Sequence, residues 1–210
     1  MRMMKLFLGW VGLTLAFGWG QVGLSQGESL GGVGERAHPA AQTIVEAMRS
    51  ATGADLALLG AAFFNESASV PSTNFSADDL IKALAHPDDE VVVLSLRGEQ
   101  ILQALERALE LYPQKNNAFL QLAGAEVRFD PKAESGKRVV SVQIGGAKLD
   151  PNRTYKVATT APMARGALGY FRVWSREQIT QSTGRTIADA VRDYTQWQRS
   201  LLSQPAWIAQ

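Results

Sequence analysis

The sequence has no cysteine and only two histidines, His38 and His86, among its 210 residues. The lack of cysteine excludes disulfides and thiol chemistry, so core burial alone must hold the fold together. A dinuclear metal centre that makes hydroxide at neutral pH needs several His and Asp ligands in fixed geometry. Because two histidines are too few for such a centre, we expect no metal site, no cofactor and no self-sufficient hydrolase.

Motifs for phosphate, nucleophilic or dinucleotide chemistry are also missing from the predicted elements. The sequence has no P-loop, and no Gly-x-Ser-x-Gly or Gly-x-Gly-x-x-Gly motif follows a predicted strand. His86 lies beside Asp88, Asp89 and Glu90, a pattern that could indicate acid–base or metal chemistry. A single histidine in a Pro-Asp-Asp turn is more typical of a solvated loop, and we favour that interpretation.

The first residues have the layout of a secretory signal peptide. Arg2 and Lys5 give a positively charged start, and residues 6–19 carry no charge. This apolar run is shorter than the roughly 20 residues that cross a membrane. We therefore assign residues 1–25 to a leader that is removed, and we expect a periplasmic or secreted product that is free of the membrane.

The charge balance argues against nucleic acid or an anionic membrane as a partner. The full chain has 21 basic and 20 acidic side chains. Loss of Arg2 and Lys5 with the leader would leave 19 basic side chains and a net charge of about −1. Such a chain has no field that would steer DNA, RNA or a membrane surface towards it.

Local sequence signals predict two helices in the first part of the fold. Pro39 and Gly53 bracket an apolar pattern of helical period, which predicts a short amphipathic helix. Ser76 followed by Asp79 resembles a capping box and predicts the start of a second helix.

The remaining pattern predicts an α+β domain in which helices cover a mixed sheet. The predicted strands are residues 55–59, 90–96, 119–122, 125–129, 139–144 and 155–158. A helix is predicted over 101–109. A last helix is predicted from Thr186, with its apolar face formed by Ile187, Ala190, Val191, Tyr194 and Leu201.

The domain is assigned to residues 35–200. Residues 26–34 before it are rich in Gly and Ser and are predicted to be a flexible linker. Residues 201–210 after it form an apolar tail, which either wraps back on the domain or docks a partner.

Six segments in collinear order resemble the C-terminal domain of the secreted bacterial and animal 5′-nucleotidases. They are residues 46–48, 53–59, 91–108, 119–124, 149–158 and 166–170. The resemblance implies a four-layer α/β/β/α domain that holds the nucleoside part of a nucleotide. It also implies a separate N-terminal metallophosphoesterase domain that binds two metals and cleaves the phosphate ester.

The segments that the resemblance places at the ligand depart from the family's pattern. An Asn-Gly-Gly-Gly-Ile-Arg loop is replaced by residues 60–65, so that Gly60 stands for the Asn and Asn65 for the Arg. A Pro-Phe pair, whose Phe is one jaw of a base clamp, is replaced by His86-Pro87. In the Gly-Gly-Asp-Gly-aromatic motif, Leu168 replaces the Asp, whereas Tyr170 keeps an aromatic side chain for the other jaw.

Two interpretations of the aromatic residues stay open. Tyr170 could stack on a planar base, with Phe63 or Phe64 as the opposing ring. Alternatively, Tyr170, Phe171 and Trp174 pack a loop onto the core, and the two phenylalanines plug the cleft.

These features support two hypotheses for function. The first is an exported, non-catalytic domain that binds a nucleoside or nucleotide, or that complements a separate metallophosphoesterase chain in nucleotide breakdown. Its ligand-contacting residues would be Tyr170, Gly60, Asn65, Phe63 and Phe64. The alternative is a structural or protein-interaction module whose cleft has decayed.

Overall fold

The computed structural model describes residues 27–210. The assigned leader, residues 1–25, lies outside this range. The strands are β1 Glu28–Ser29, β2 Leu56–Gly60, β3 Ser69–Val70, β4 Glu90–Arg97, β5 Leu120–Ala123, β6 Ala125–Phe129, β7 Val139–Ile144, β8 Ala147–Lys148, β9 Thr154–Thr160, β10 Ile179–Thr186 and β11 Trp207–Ala209. The helices are α1 Pro39–Thr52, α2 Ala77–Lys82, α3 Gly98–Ala108, α4 Ala161–Ala164 and α5 Ile187–Tyr194.

The strands of residues 27–210 form two main sheets and a small ribbon. The larger sheet has the order β10-β4-β9-β2-β5, the second has the order β11-β6-β7-β8, and β1 pairs with β3. Strand β2 runs parallel to β9 and antiparallel to β5, with Gly60 opposite Leu120. Helices pack on these sheets, and their buried side chains join those of both sheets in one continuous core. The predicted α+β class is confirmed.

Local signals explain the helix boundaries that the sequence predicts. Helix α1 has Pro39 in its first turn, and Gly53 ends it in the left-handed region at φ 62°, where glycine has no steric cost. Its buried face includes Ile44, Val45 and Met48. The predicted capping box is present at the start of α2, and α5 begins at the predicted Thr186 with a second capping box.

The capping carboxylates are held in their charged form. The backbone N–H and the hydroxyl of Ser76 both donate to Asp79 Oδ2, at 2.8 and 2.7 Å. These bonds lower the pKa of Asp79 below its usual value, since a hydrogen bond to the ionised carboxylate favours that form. The backbone and hydroxyl of Thr186 lower the pKa of Asp189 in the same way.

Residues 27–34 do not form the flexible linker predicted for 26–34. They contain strand β1, and the side chains of Leu30 and Val33 have no exposed surface. The backbone N–H of Leu30 donates to the carbonyl of Ala68 at 3.0 Å. Apolar residues spaced among glycines are enough to anchor this stretch, although its composition is typical of a linker.

The C-terminal tail wraps back on the domain. Trp207, Ile208 and Ala209 pair in parallel with Val127, Arg128 and Phe129 of β6. The indole N–H of Trp207 donates to the carbonyl of Leu120 at 2.7 Å, and the side chain is 6% exposed. Residues 207–209 therefore add a strand to the second sheet, and the boundary assigned at residue 200 falls inside the folded unit.

The prediction for the last helix was too long. Helix α5 ends at Tyr194, so Leu201 cannot lie on its apolar face, although Leu201 packs against the core from the following segment. Strand β10 was not predicted, because its sequence is polar and contains Gly184. Its pairing with β4 is supported by side chains: Ser182 Oγ and Gly184 N both donate to Glu90 Oε1, at 2.8 and 3.0 Å.

Candidate functional site

Three segments converge at the end of β2, where the family resemblance places the ligand. They are the residues after β2, the segment that leads into β5, and the stretch from α4 to Tyr170. The backbone N–H groups of Ala61 and Ala62 donate to the carbonyls of Phe119 and Asn117, at 2.8 and 3.1 Å. These bonds fix the loop after β2 against the start of β5.

Gly60 is covered by the loop that carries Leu168. A Cβ atom added at Gly60 would overlap the Leu168 Cδ1 methyl group, and it would lie 3.6 Å from Met163 Sδ. The φ of Gly60 is −70°, which any residue adopts, so glycine is favoured here by the close approach of Leu168 and not by the backbone conformation. The Leu168 side chain therefore occupies the space in front of Gly60, the position where the sequence predicts ligand contact.

The loop around Leu168 has an unusual backbone that is held from outside. Leu168 has a φ of 57°, and Gly166 and Gly169 on either side have φ values of 96° and 80°. A positive φ is disfavoured for a leucine by roughly 1–2 kcal/mol. Arg107 of α3 stabilises this conformation, because its Nε and Nη2 atoms both donate to the Leu168 carbonyl, the former at 3.2 Å.

Tyr170 is part of the core. Its side chain has no exposed surface, and its hydroxyl donates to the carbonyl of Ala118 at 2.7 Å. The ring stacks on Trp174 with 4.7 Å between centroids and 10° between planes, and the Arg107 guanidinium carbon lies 5.5 Å from the ring centroid. Burial raises the pKa of Tyr170 above its ordinary value, while the positive charge of Arg107 opposes part of that shift.

The ring of Tyr170 therefore presents no open face to a base in this structure. Trp174 occupies a stacking position and is itself fixed, because its indole N–H donates to the Met163 carbonyl at 2.8 Å. The packing interpretation of Tyr170 and Trp174 agrees with this geometry. Phe171 does not pack onto the core as that interpretation predicts, since its side chain is 67% exposed. A ligand contact by Tyr170 stays a prediction that requires the loop to open.

The remaining residues of the predicted site are not gathered around an open cleft. Phe63 and Phe64 are buried, and Phe64 forms a backbone bridge with Leu84. Asn65 is exposed, and its Oδ1 accepts a hydrogen bond from Ser67 N at 3.2 Å. The structure thus brings Gly60 close to the 166–170 loop, whereas Asn65 faces solvent and the two phenylalanines fill space.

The turn around His86 lies next to this region. The His86 side chain is exposed, and its ring meets that of Phe63 edge to face, with 6.0 Å between centroids. Burial raises the pKa of Asp89, and the nearby His86 partly offsets this. Within residues 27–210, no group of three or more His, Asp and Glu side chains is placed to hold a metal ion.

Arg107 and Met163 were missed by the sequence analysis. Arg107 was counted with the polar side of a helix, and Met163 belonged to no predicted element. The available signal for Arg107 was a cation in the last turn of an amphipathic helix, which does not distinguish a buried anchor from a solvated side chain. Its role depends on a partner 61 residues away in the sequence.

The order of the strands and the convergence of these loops define a class of α+β domain, and comparison with known proteins gives its family. The sequence profile described as "5'-nucleotidase, C-terminal domain" matches residues 26–176. The chain belongs to this family.

Known relatives agree with this assignment. The chain is 29% identical to a 5'-nucleotidase of Diplobatis ommata over 110 residues, which cover 49% of this chain and 19% of the relative. It is 28% identical to an apyrase of Tabanus yao over 142 residues, or 62% of this chain and 25% of the relative. The chain thus spans about a fifth to a quarter of the length of these relatives.

A solved structure supports the fold. A 5'-nucleotidase precursor from Thermus thermophilus superposes with a TM-score of 0.72 at 23% identity, covering 84% of this chain and 36% of that chain. At this identity the likeness shows the fold alone. Among residues 27–210, no helix combines the length and apolarity needed to span a bilayer.

Proposed function

We propose that this chain is a non-catalytic member of the 5'-nucleotidase C-terminal family that acts by contact with a metallophosphoesterase and not by clamping a nucleoside. The single observation that carries the proposal is the Leu168 side chain packed over Gly60. The buried stack of Tyr170 on Trp174 supports it, because the remaining aromatic jaw is already occupied. The relatives are named for activity on nucleotides, which supports a role in nucleotide breakdown.

The surface proposed for the partner is the outer side of the closed loop. Phe171 is 67% exposed there, and the Arg172 guanidinium lies 5.8 Å from its ring centroid. An exposed aromatic ring beside an arginine has the composition typical of interface hot spots. Phe171 is the exposed aromatic side chain of this loop, so it is the residue we assign to the contact.

Calorimetric titration with adenosine and AMP tests the closed cleft. The unmutated chain is expected to give no binding heat up to about 1 mM, which corresponds to a binding free energy weaker than about −4 kcal/mol. A dissociation constant well below 1 mM for either compound, lost in Tyr170→Phe or in Leu168→Trp, would contradict the proposal.

Association with a metallophosphoesterase from the same genome tests the partner. We expect Phe171→Ala to weaken binding about fivefold to tenfold without a change in melting temperature, as for an interface anchor. Trp197→Ala is the matched control, because Trp197 is also exposed, at 63%, but lies on the segment after α5. Equal binding by Phe171→Ala and Trp197→Ala would show that Phe171 does not make the assigned contact.

Nucleoside binding after loop opening is a second candidate. The specific observation in its favour is the positive φ of Leu168, since a strained residue at a ligand loop lowers the cost of rearrangement. Under this candidate, Leu168→Ala would bind adenosine measurably, whereas the exposed control Leu111→Ala would not. No gain of binding in Leu168→Ala would eliminate it.

Export is proposed on the basis of the charged start and the short apolar run of the sequence. Relatives named as snake venom 5'-nucleotidases support this proposal. Intact-mass measurement of protein from the extracytoplasmic fraction is expected to show a chain that begins between residues 20 and 27. A soluble product that retains Met1 would contradict export with cleavage.

A further inference from the structure

A second cavity opens at the opposite end of β5 from the closed loop. Its volume is about 520 Å³, a size typical of small-molecule sites. Gly60 pairs with Leu120 at one end of β5, and this cavity is lined by Ala123 and Gly124 at the other. The two ends of β5, Leu120 and Ala123, are three residue steps apart, which at about 3.4 Å per step is about 10 Å, so this cavity is distinct from the cleft that Leu168 fills.

The cavity is built from four parts of the chain that are distant in sequence. One wall is α1, another is the β5–β6 turn, a third is the β7–β8 turn, and the fourth is the tail that leads into β11. The apolar lining residues are Leu122, Ala123, Ala125, Leu202, Pro205, Ala206 and Ile208. The rim at Gly145 and Gly146 has positive φ, and a Cβ added at either position would meet no atom within 4 Å. The rim is therefore open.

The polar lining is acidic and neutral. Glu46 and Glu126 supply two carboxylates, and Gln42, Gln143 and Gln204 supply amides, while no lysine or arginine is among the lining residues. Gln42 is 4% exposed, and its Nε2 donates to the Gln204 carbonyl at 3.4 Å, which ties α1 to the tail across the cavity.

The arginines that pair with these carboxylates stand behind them. Arg49 bonds both oxygens of Glu46, each at 2.7 Å, and Arg128 Nε bonds Oε1 of Glu126 at 3.0 Å. Neither arginine lines the cavity. Glu126 keeps Oε2 for another donor, and it is partly exposed at the mouth of the cavity, with 40% side-chain exposure.

We propose that this cavity binds a small organic cation, with an amine or guanidinium group at Glu126 Oε2 and an apolar stem on the Leu122–Ile208 side. Carboxylates accept charge-assisted hydrogen bonds from ammonium and guanidinium groups. A phosphate would approach the Glu126 carboxylate, and the cavity lining contains no lysine or arginine that could bind it, so the same lining disfavours nucleotides.

Calorimetric titration with agmatine, with AMP as the anionic probe, tests the proposal on the unmutated protein at low salt. We expect agmatine to bind with a dissociation constant at or below about 1 mM, and AMP to give no heat. Glu126→Gln is expected to weaken agmatine binding about threefold to tenfold. Glu134→Gln is the matched control, since Glu134 is 81% exposed and outside the cavity, and it should leave the affinity unchanged.

A second variant fills the cavity without changing its charge. Ala125→Phe places a ring in the space, and it should abolish agmatine binding while a thermal melt shows that the domain stays folded. Absence of agmatine heat in the unmutated protein would overturn the proposal. So would equal weakening by Glu126→Gln and Glu134→Gln, or binding that survives Ala125→Phe. AMP binding at this cavity would overturn it as well.

Discussion

The two ends of β5 differ in what fills the space beside them. At the Leu120 end, side chains from three segments close the region around Gly60, with Leu168 in front of it and Tyr170 buried behind. At the Gly124 end, glycines and short side chains leave a cavity that reaches solvent. A family resemblance therefore locates where a ligand site would lie, but the side chains at each end decide whether space for a ligand remains.

Substitution of Tyr170 tests the closed end most strongly. Tyr170→Ala removes a fully buried ring with a satisfied hydroxyl, and we expect it to lower the free energy of unfolding by about 3–5 kcal/mol. Phe171→Ala is the matched neighbour, since its ring is 67% exposed, and it should change stability by no more than about 0.5 kcal/mol. Urea unfolding of both variants measures the difference. Similar values for the two would show that Tyr170 is not part of the core.

The next largest loss of stability is expected from substitution of Arg107, which holds the loop around Leu168 closed. Arg107→Gln loses the paired donation to the Leu168 carbonyl, and hydrogen bonds from a charged donor contribute about 1.5–3 kcal/mol. Arg192→Gln is the control, because Arg192 makes an exposed ion pair with Asp189, which is worth about 0–1 kcal/mol. Thermal melts of the two variants measure this difference in stability, and we expect the lower melting temperature for Arg107→Gln. An Arg107→Gln protein as stable as Arg192→Gln would mean that the loop closes without its anchor.

Alkaline pH should weaken the closed end selectively. Burial raises the folded-state pKa of Tyr170 above the unfolded value near 10. This residue therefore contributes stability that is fully present below pH 10 and is lost as pH rises towards the folded-state pKa. At pH 11 the loss is about 1 kcal/mol. Unfolding at pH 9 and pH 11 should show a steeper fall in the unmutated protein than in Tyr170→Phe, and parallel falls would contradict a buried hydroxyl.

Much of the fold could be predicted because local and global signals agree. The positions of α1, β4 and the capping boxes follow from Pro39, Gly53, Ser76 and the β-branched run of residues 90–96. Strand β10 could not be predicted in this way, since its register depends on side-chain bonds to Glu90 rather than on an apolar alternation.

The sequence predicted which residues lie near the candidate site but not how their side chains pack there. The replacement of an acidic residue by Leu168 was visible in the sequence, but its packing on Gly60 depends on a contact across 108 positions. The open cavity was not predicted, because its walls come from segments that meet only after the tail has joined the second sheet.

A double-mutant cycle between Gly60 and Leu168 tests the closed cleft most directly. Gly60→Ala should destabilise the chain by about 1 kcal/mol through contact with Leu168, and the loss should be smaller when Leu168→Ala has removed the contacting methyl groups. Gly145→Ala is the control at the open end, where the cost comes from φ alone and should not depend on Leu168. We expect a coupling of at least about 0.5 kcal/mol for the first pair and none for the second. Additive effects of Gly60→Ala and Leu168→Ala would contradict it.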